Sequence, residues 1–502
     1  MPFLARVGLG ATLVSLLACG SGSGGGGGQP TLTISPQTAS AVIGGPAVSF
    51  TANLSGSSNP IAWTLSGPGS ITQSGGSTTA YAPPAFGSTP TTATVTATSS
   101  GLNASAAIQV GVPASINVNG TVVGSDRAPV VGASVTIGAQ SALTDANGAF
   151  TISGVALPYD LTAVATVPKK RAVVYQGLSR RDPTVVLLGL TASPYTGTLT
   201  GNLSGGNPLG GANEATRVIF ASPDAPAYLL NDNNRFVTSN PYTMNAAWIG
   251  PTTTTGTVHA IQWQADGGSV PSSFTGYANK TGVSISSGGN ATADLAMTAP
   301  AVSTVGGTVH LDASLLYFGQ SLWISFPNSP IIFMGADSPS GSFSYPFPNV
   351  GGATASLVAS AINTFSNVSA RVVAGITPGT ANVAVQLDAP PTPGTPVDHA
   401  TNVGTSTDFT WTPMPGTISV LGILGNGTSP TYYVLTSGAS ARIPDLSAQG
   451  LGLPASAPYL WVMNAYGPLT SVDEMAGSAS IYLSGTGSYF GGTTAPRDFT
   501  TP

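Results

Sequence analysis

Ala47-Val48-Ser49-Phe50-Thr51-Ala52-Asn53-Leu54 carries an apolar side chain at every second position, so Val48, Phe50, Ala52 and Leu54 share one face of an extended strand. The same period recurs on both sides of it. Thr31-Leu32-Thr33-Ile34 comes before. Ile61-Ala62-Trp63-Thr64-Leu65, Thr79-Ala80-Tyr81, Ala93-Thr94-Val95-Thr96-Ala97-Thr98 and Ala106-Ala107-Ile108-Gln109-Val110 follow. Turn-forming clusters such as Ser55-Gly56-Ser57-Ser58-Asn59-Pro60 separate the runs. Short strands at this spacing around one central indole predict a β-sandwich with Trp63 in its core.

Composition carries that reading along the whole chain. At 502 residues it is too long for one core and has room for about four or five sandwich-sized domains. Charged residues make up only 6%, yet the hydrophobic fraction is 41%, which argues for folding over disorder. Thr and Val favour strands, Gly and Pro punctuate them, and amphipathic helical runs are nearly absent. The expected fold class is all-β, a row of tandem β-sandwich domains. A net charge of −5 spread over this length makes no strong field, so no nucleic-acid partner is expected. The one basic cluster, Lys169, Lys170, Arg171, Arg180 and Arg181, reads as a solvated hairpin or a charge-guarded edge strand. Contact with anionic headgroups or envelope polysaccharide is its other reading.

The N-terminus has Arg6 followed by the apolar run Val7 to Ala18, too short for the ~20 residues a membrane-spanning helix needs. It ends in Leu16-Leu17-Ala18-Cys19-Gly20, which resembles the bacterial lipobox. That resemblance implies cleavage before Cys19 and a diacylglycerol on its thiol, with the membrane as partner. Leu17 is bulkier than that position usually carries. Gly20 implies sorting to the outer membrane in a Gram-negative host. Cys19 is the only cysteine, so no intramolecular disulfide forms. The expected layout begins with a signal peptide over 1–18. A lipidated Gly/Ser-rich tether over 19–29 then holds the first domain off the membrane.

Residues 30–112 resemble bacterial immunoglobulin-like domains, on the Ser35-Pro36 opening, the Trp63 to Gly69 stretch and the strand from Tyr81 to Ala85. Over 113–190, Gly120-Thr121-Val122-Val123, Ala133-Ser134-Val135-Thr136-Ile137 and Leu143-Thr144-Asp145-Ala146-Asn147-Gly148-Ala149-Phe150-Thr151-Ile152 resemble the carboxypeptidase-regulatory-like, or transthyretin-like, domain. Its family name brings no catalytic residue to this chain. Asp145 to Gly148 reads as a turn rather than a calcium loop, which needs more oxygens and a bidentate Glu. Residues 191–300 and 301–390 open alike, with Gly197-Thr198-Leu199-Thr200 and Gly307-Thr308-Val309-His310, and read as two related β-sandwiches. A Pro-rich linker from Ala389 opens 391–502, where Phe409-Thr410-Trp411-Thr412-Pro413 and Tyr459-Leu460-Trp461-Val462 resemble a fibronectin type III module.

Chemistry is sparse. The three histidines, His259, His310 and His399, lie in separate segments, and the glutamates are Glu214 and Glu474. His310 and Asp312 share a strand face, but no G-x-S-x-G elbow accompanies them. H-E-x-x-H, P-loop and C-x-x-C motifs are missing too, so no catalytic residue, metal site or cofactor is assigned. Two non-catalytic readings stand. One is a structural or adhesive envelope protein whose modules act as spacers and scaffolds; polysaccharide or other envelope proteins are the partners to test for either reading. The other is an extracellular carbohydrate-binding protein, with Trp248, Trp263 beside Gln262 and Gln264, and Tyr277 beside Asn279 as ligand residues. Burial of the indoles favours the first, and an exposed row of them the second.

Overall fold

The computed structural model describes residues 29–225, 233–265, 271–327, 332–337, 341–477 and 487–502. The expected signal peptide, the Leu16-Leu17-Ala18-Cys19 box and most of the tether lie outside these residues. Among the described residues the protein is all-β. The only helical pieces among them are the turns Ser447–Gln449 and Val472–Met475, and no described helix is long and apolar enough to cross a membrane. The chain divides into two compact units: residues up to Gly111 apart from Ala85–Thr89, and the remainder.

The first unit is a sandwich of two four-stranded sheets. One runs Thr31–Ser35, Val48–Ser55, Thr78–Ala82, Ser70–Ile71, and the other Thr38–Val42, Leu102–Gly111, Thr91–Ser99, Ala62–Ser66. Period-two alternation supplies the core, with Phe50, Ala52, Tyr81, Val95 and Ile108 all buried. Trp63 is 2% exposed, and its Nε1–H donates to the Gly76 carbonyl at 2.8 Å.

The second unit holds four more sandwiches, and here consecutive, self-contained modules are not what forms. A single sheet of thirteen described strands runs through three of them. It begins in the second sandwich with Gln140–Leu143, Ser134–Ile137, Tyr159–Ala165 and Arg171–Leu178. It continues in the C-terminal sandwich with Thr431–Thr436, Ile418–Gly425, Pro458–Gly467 and Tyr489–Thr493. It ends in the fourth with Val368–Ile376, Thr354–Asn363, Leu315–Ser325 and Ile332–Asp337, while Arg497–Thr500 pairs with Pro458–Gly467 off this path. The fifth sandwich therefore sits between the second and the fourth, although the chain visits it last.

Two strand pairings make these junctions. Arg171–Leu178 lies parallel to Thr431–Thr436, with Arg171 opposite Thr431 and Tyr175 opposite Leu435. Val368–Ile376 lies antiparallel to Tyr489–Thr493, with Val368 opposite Thr493 and Val372 opposite Tyr489. The cores merge accordingly. Ile418, Val420, Leu435, Val472 and Met475 join the core of the second sandwich. Val164, Ala172 and Val174 join that of the fifth. Expecting separate units over 301–390 and 391–502 missed this, because Ala172-Val173-Val174-Tyr175 and Ile418 to Ile423 are buried on both faces.

The third sandwich joins the fourth face to face. Its own core takes Val218, Phe220, Val258 and Ala260 from one face of the sheet Asn234–Phe236, Glu214–Ala221, Thr253–Gln264, Ser273–Ser286. Ile219, Ile261, Trp263 and Phe274 enter a core with Leu322, Ile324, Leu357 and Val385 of the fourth sandwich.

Candidate functional site

The sequence-chosen carbohydrate residues do not form a binding face. Trp248 is fully buried in the core of the third sandwich, and its Nε1–H donates to the Pro251 carbonyl at 2.7 Å. Trp263 is 2% exposed and lies among residues of the third and fourth sandwiches. Neither indole offers a ring face to a sugar, which corrects that assignment. The cause differs between them: Trp248 fills its own sandwich, whereas Trp263 is covered by the next one.

The flanking polar groups are spent in the same way. Gln262 is fully buried; its Nε2 donates to the Asn207 carbonyl and to Thr216 Oγ1, and its Oε1 accepts from the Asn207 N–H and the Thr275 hydroxyl. Tyr277 is half-buried, and its hydroxyl meets His259 Nδ1 at 3.0 Å and Asn279 Nδ2 at 3.1 Å. Burial raises the Tyr277 phenol above its ordinary range. Of the six tryptophans only Trp323 is partly exposed, with its Nε1–H donating to Ser321 Oγ at 2.6 Å. Sequence reading passed over it, and a single indole makes no row.

The His310 and Asp312 pair is not assembled. His310 is exposed, with Nε2 3.4 Å from Thr308 Oγ1. Asp312 instead accepts the Ser314 hydroxyl at 2.6 Å and its N–H at 2.9 Å, and these bonds lower its pKa. Ser303, the other serine near in sequence, accepts from Asn349 Nδ2 at 2.9 Å. A shallow groove of about 530 Å³ lined by Ser303, Thr308, Phe343 and Asn382 lies on this sandwich and gathers no ionisable group. Asp145 accepts the Asn147 and Ala149 N–H groups at 2.8 and 2.9 Å, with Gly148 at φ +72°, so 145–148 is the expected turn. Among the described residues one metal-capable trio occurs, Asp398, His399 and Asp498, and all three side chains are exposed.

The basic cluster needs the second correction. Arg171–Leu178 is an interior strand, so the cluster does not guard a solvated edge. Lys169 Nζ donates to the Gly425 carbonyl at 3.2 Å and Lys170 Nζ to that of Gly450 at 2.9 Å, both across the junction with the fifth sandwich. Arg171 Nη1 reaches the Leu188 carbonyl at 2.7 Å, and Arg180 Nη1 that of Asp473 at 2.6 Å. Asp473 itself is 5% exposed and accepts the Ser179 and Arg180 N–H groups at 2.8 and 2.9 Å. At the other junction the Arg371 guanidinium lies 4.7 Å from the centre of the Phe490 ring, and the Ala495 N–H donates to Asn367 Oδ1 at 2.9 Å. The specialised polar groups thus gather at the contacts between sandwiches.

No protein-family model matches the chain, and no curated protein matches it in sequence. Solved structures align with parts of it. The Bacillus anthracis TIE protein is 10% identical, covers 72% of this chain and 75% of its own, and has a TM-score of 0.18. Two B repeat units of the collagen-binding protein of Staphylococcus aureus are 10% identical over 72% of this chain and 94% of that one, with a TM-score of 0.14. The shaft pilin SpaA from Lactobacillus rhamnosus GG is 11% identical over 37% of this chain and 98% of its own, with a TM-score of 0.12. Likenesses at these scores carry no argument about function, and the all-β assignment rests on the sheets themselves.

Proposed function

We propose that this chain is a non-catalytic, lipid-anchored structural or adhesive protein of the bacterial cell envelope, on the outer membrane where the host is Gram-negative. One observation carries the structural part: buried Trp263 and Asp473, with the half-buried Lys169 and exposed Lys170, serve to fasten sandwich to sandwich. Trp263 does so between the third and fourth, and Asp473, Lys169 and Lys170 between the second and fifth. The anchoring part is supported by Leu16-Leu17-Ala18-Cys19-Gly20 and the Gly/Ser run behind it. A carbohydrate site at Trp248, Trp263 and Tyr277 is not part of the proposal, because both indoles are enclosed.

Fractionation of cells expressing the native chain and Cys19→Ala tests the anchor. The native chain is expected in the membrane fraction, carrying labelled fatty acid, and the variant as released or unprocessed protein. A variant of mature size that stays with the membrane overturns it. Binding of the purified chain to a polysaccharide array tests the rest: saturable binding to one glycan with the sandwiches intact would replace the structural reading by the carbohydrate-binding one.

A further inference from the structure

Between the third and fourth sandwiches lies an imidazole with one nitrogen left without a partner. His259, in Thr253–Gln264, is 4% exposed. Its ring lies on that of Phe326 from the fourth sandwich, with centroids 4.0 Å apart and planes 14° from parallel. Nδ1 meets the Tyr277 hydroxyl at 3.0 Å, while Nε2 is buried without a hydrogen bond. A neutral ring tolerates that arrangement. An imidazolium carries a second N–H and a full charge, and neither is satisfied there.

Among the described residues, the strands flanking His259 place no carboxylate opposite it. On the neighbouring strand Glu214–Ala221, Ile219 stands opposite His259, and Arg217, on the same face, adds positive charge over the Phe236 ring. The carboxylate of that strand, Glu214, is engaged by Asn207 and Thr275. On Ser273–Ser286 the titratable groups are Tyr277 and Lys280, whose Nζ donates to the Thr292 carbonyl. The fourth-sandwich strands Leu315–Ser325 and Ser342–Pro348 contain no acidic or basic residue.

We infer that this contact is an acid-labile joint, in which a proton taken up by His259 releases the fourth sandwich from the third. Opening would uncover Ile219, Ile261, Trp263 and Phe274, a contiguous apolar face. Burial alone holds the His259 pKa down at about 4. Above pH 6.5, the ordinary value, the ring is neutral in both forms and closure is unaffected. Below it the open form binds the proton first, so the closed form loses ground until the pH falls through the depressed value. Closure weakens about 20-fold between pH 7 and pH 5 on that linkage.

The test titrates the purified full chain downward from neutral pH with a dye that reports apolar surface, while far-ultraviolet dichroism follows β content. Native chain, His259→Phe and Phe326→Ala are compared. The native chain is expected to take up dye in a step between the two pKa values with its β signal intact. His259→Phe keeps a ring against Phe326 but no titrating nitrogen, and is expected to show no step. Phe326→Ala keeps the imidazole and loses the stack, so its step is expected at higher pH. A native chain that takes up no dye before its β signal collapses overturns the joint, as does a step unchanged in either variant.

Discussion

Asp473 Oδ2 accepts the Ser179 hydroxyl at 2.5 Å, joining a helical turn of the last sandwich to the corner that follows strand Arg171–Leu178 in the second. The same carboxylate accepts two backbone N–H groups, and Ser179 is itself buried. Removing it strands donors where water does not reach. Asp473→Ala is expected to cost about 2–4 kcal/mol, read as a lower urea midpoint. Asp445→Ala, at an exposed carboxylate of the same sandwich, should leave that midpoint nearly in place.

Trp263→Ala and Trp248→Ala are each expected to cost about 3–5 kcal/mol, because both remove a buried indole from a packed core. Thermal melting measures the loss. Neither change should alter retention on immobilised polysaccharide when both chains are held below their melting temperatures. A Trp263→Ala chain that melts normally yet loses glycan binding would contradict the burial described above.

Gly492 stands where Val368–Ile376 meets Tyr489–Thr493, and a Cβ there would come within 2.6 Å of both Pro391 Cδ and the Val368 carbonyl oxygen. Gly492→Val should push the two strands apart at a cost of about 1–3 kcal/mol. Faster amide exchange in Tyr489–Thr493 would report it. Gly319→Ala is the matched control, because a Cβ at that position meets open space.

Lys169→Ala with Lys170→Ala removes two hydrogen bonds across the junction of the second and fifth sandwiches. Together they are expected to cost about 1–2 kcal/mol in urea. Sedimentation with anionic vesicles should be the same for this double variant and the native chain, since both ammonium groups are already engaged. A large drop in vesicle binding would restore the headgroup reading of this cluster.

Alternation made the fold class legible: Phe50, Ala52, Ile108, Val135 and Ile152 all lie inward as their period requires. The turn at Asp145 was legible too, because Asx geometry and a positive φ are local. Contacts across the sandwiches were not. Period two sorts Ile261 and Trp263 onto one face, but it says nothing about what covers that face. The cover over Trp263 comes from the fourth sandwich and not from its own core. The basic cluster reads as a solvated hairpin or a charge-guarded edge, and nothing local shows that the partner of Arg171–Leu178 lies far along the chain. The apolar run at 172–175, and the stretch at 418–423 that is apolar apart from Ser419 and Gly422, were the local sign of two-sided burial, and they marked the strands on which the shared sheet depends.

The parallel pairing of Arg171–Leu178 with Thr431–Thr436 also sets an order of events during synthesis. The first strand emerges long before its partner exists, and through that interval its outer edge offers unpaired N–H and C=O groups to any other chain. Lys169, Lys170 and Arg171 stand at the start of that bare edge, where their charge discourages a wrong partner until the native one arrives. The residues that fasten the finished junction thus serve first as its sentries. A product cut short before Thr431 would keep the sentries but never gain the partner, leaving this edge and that of Val368–Ile376 open to self-association.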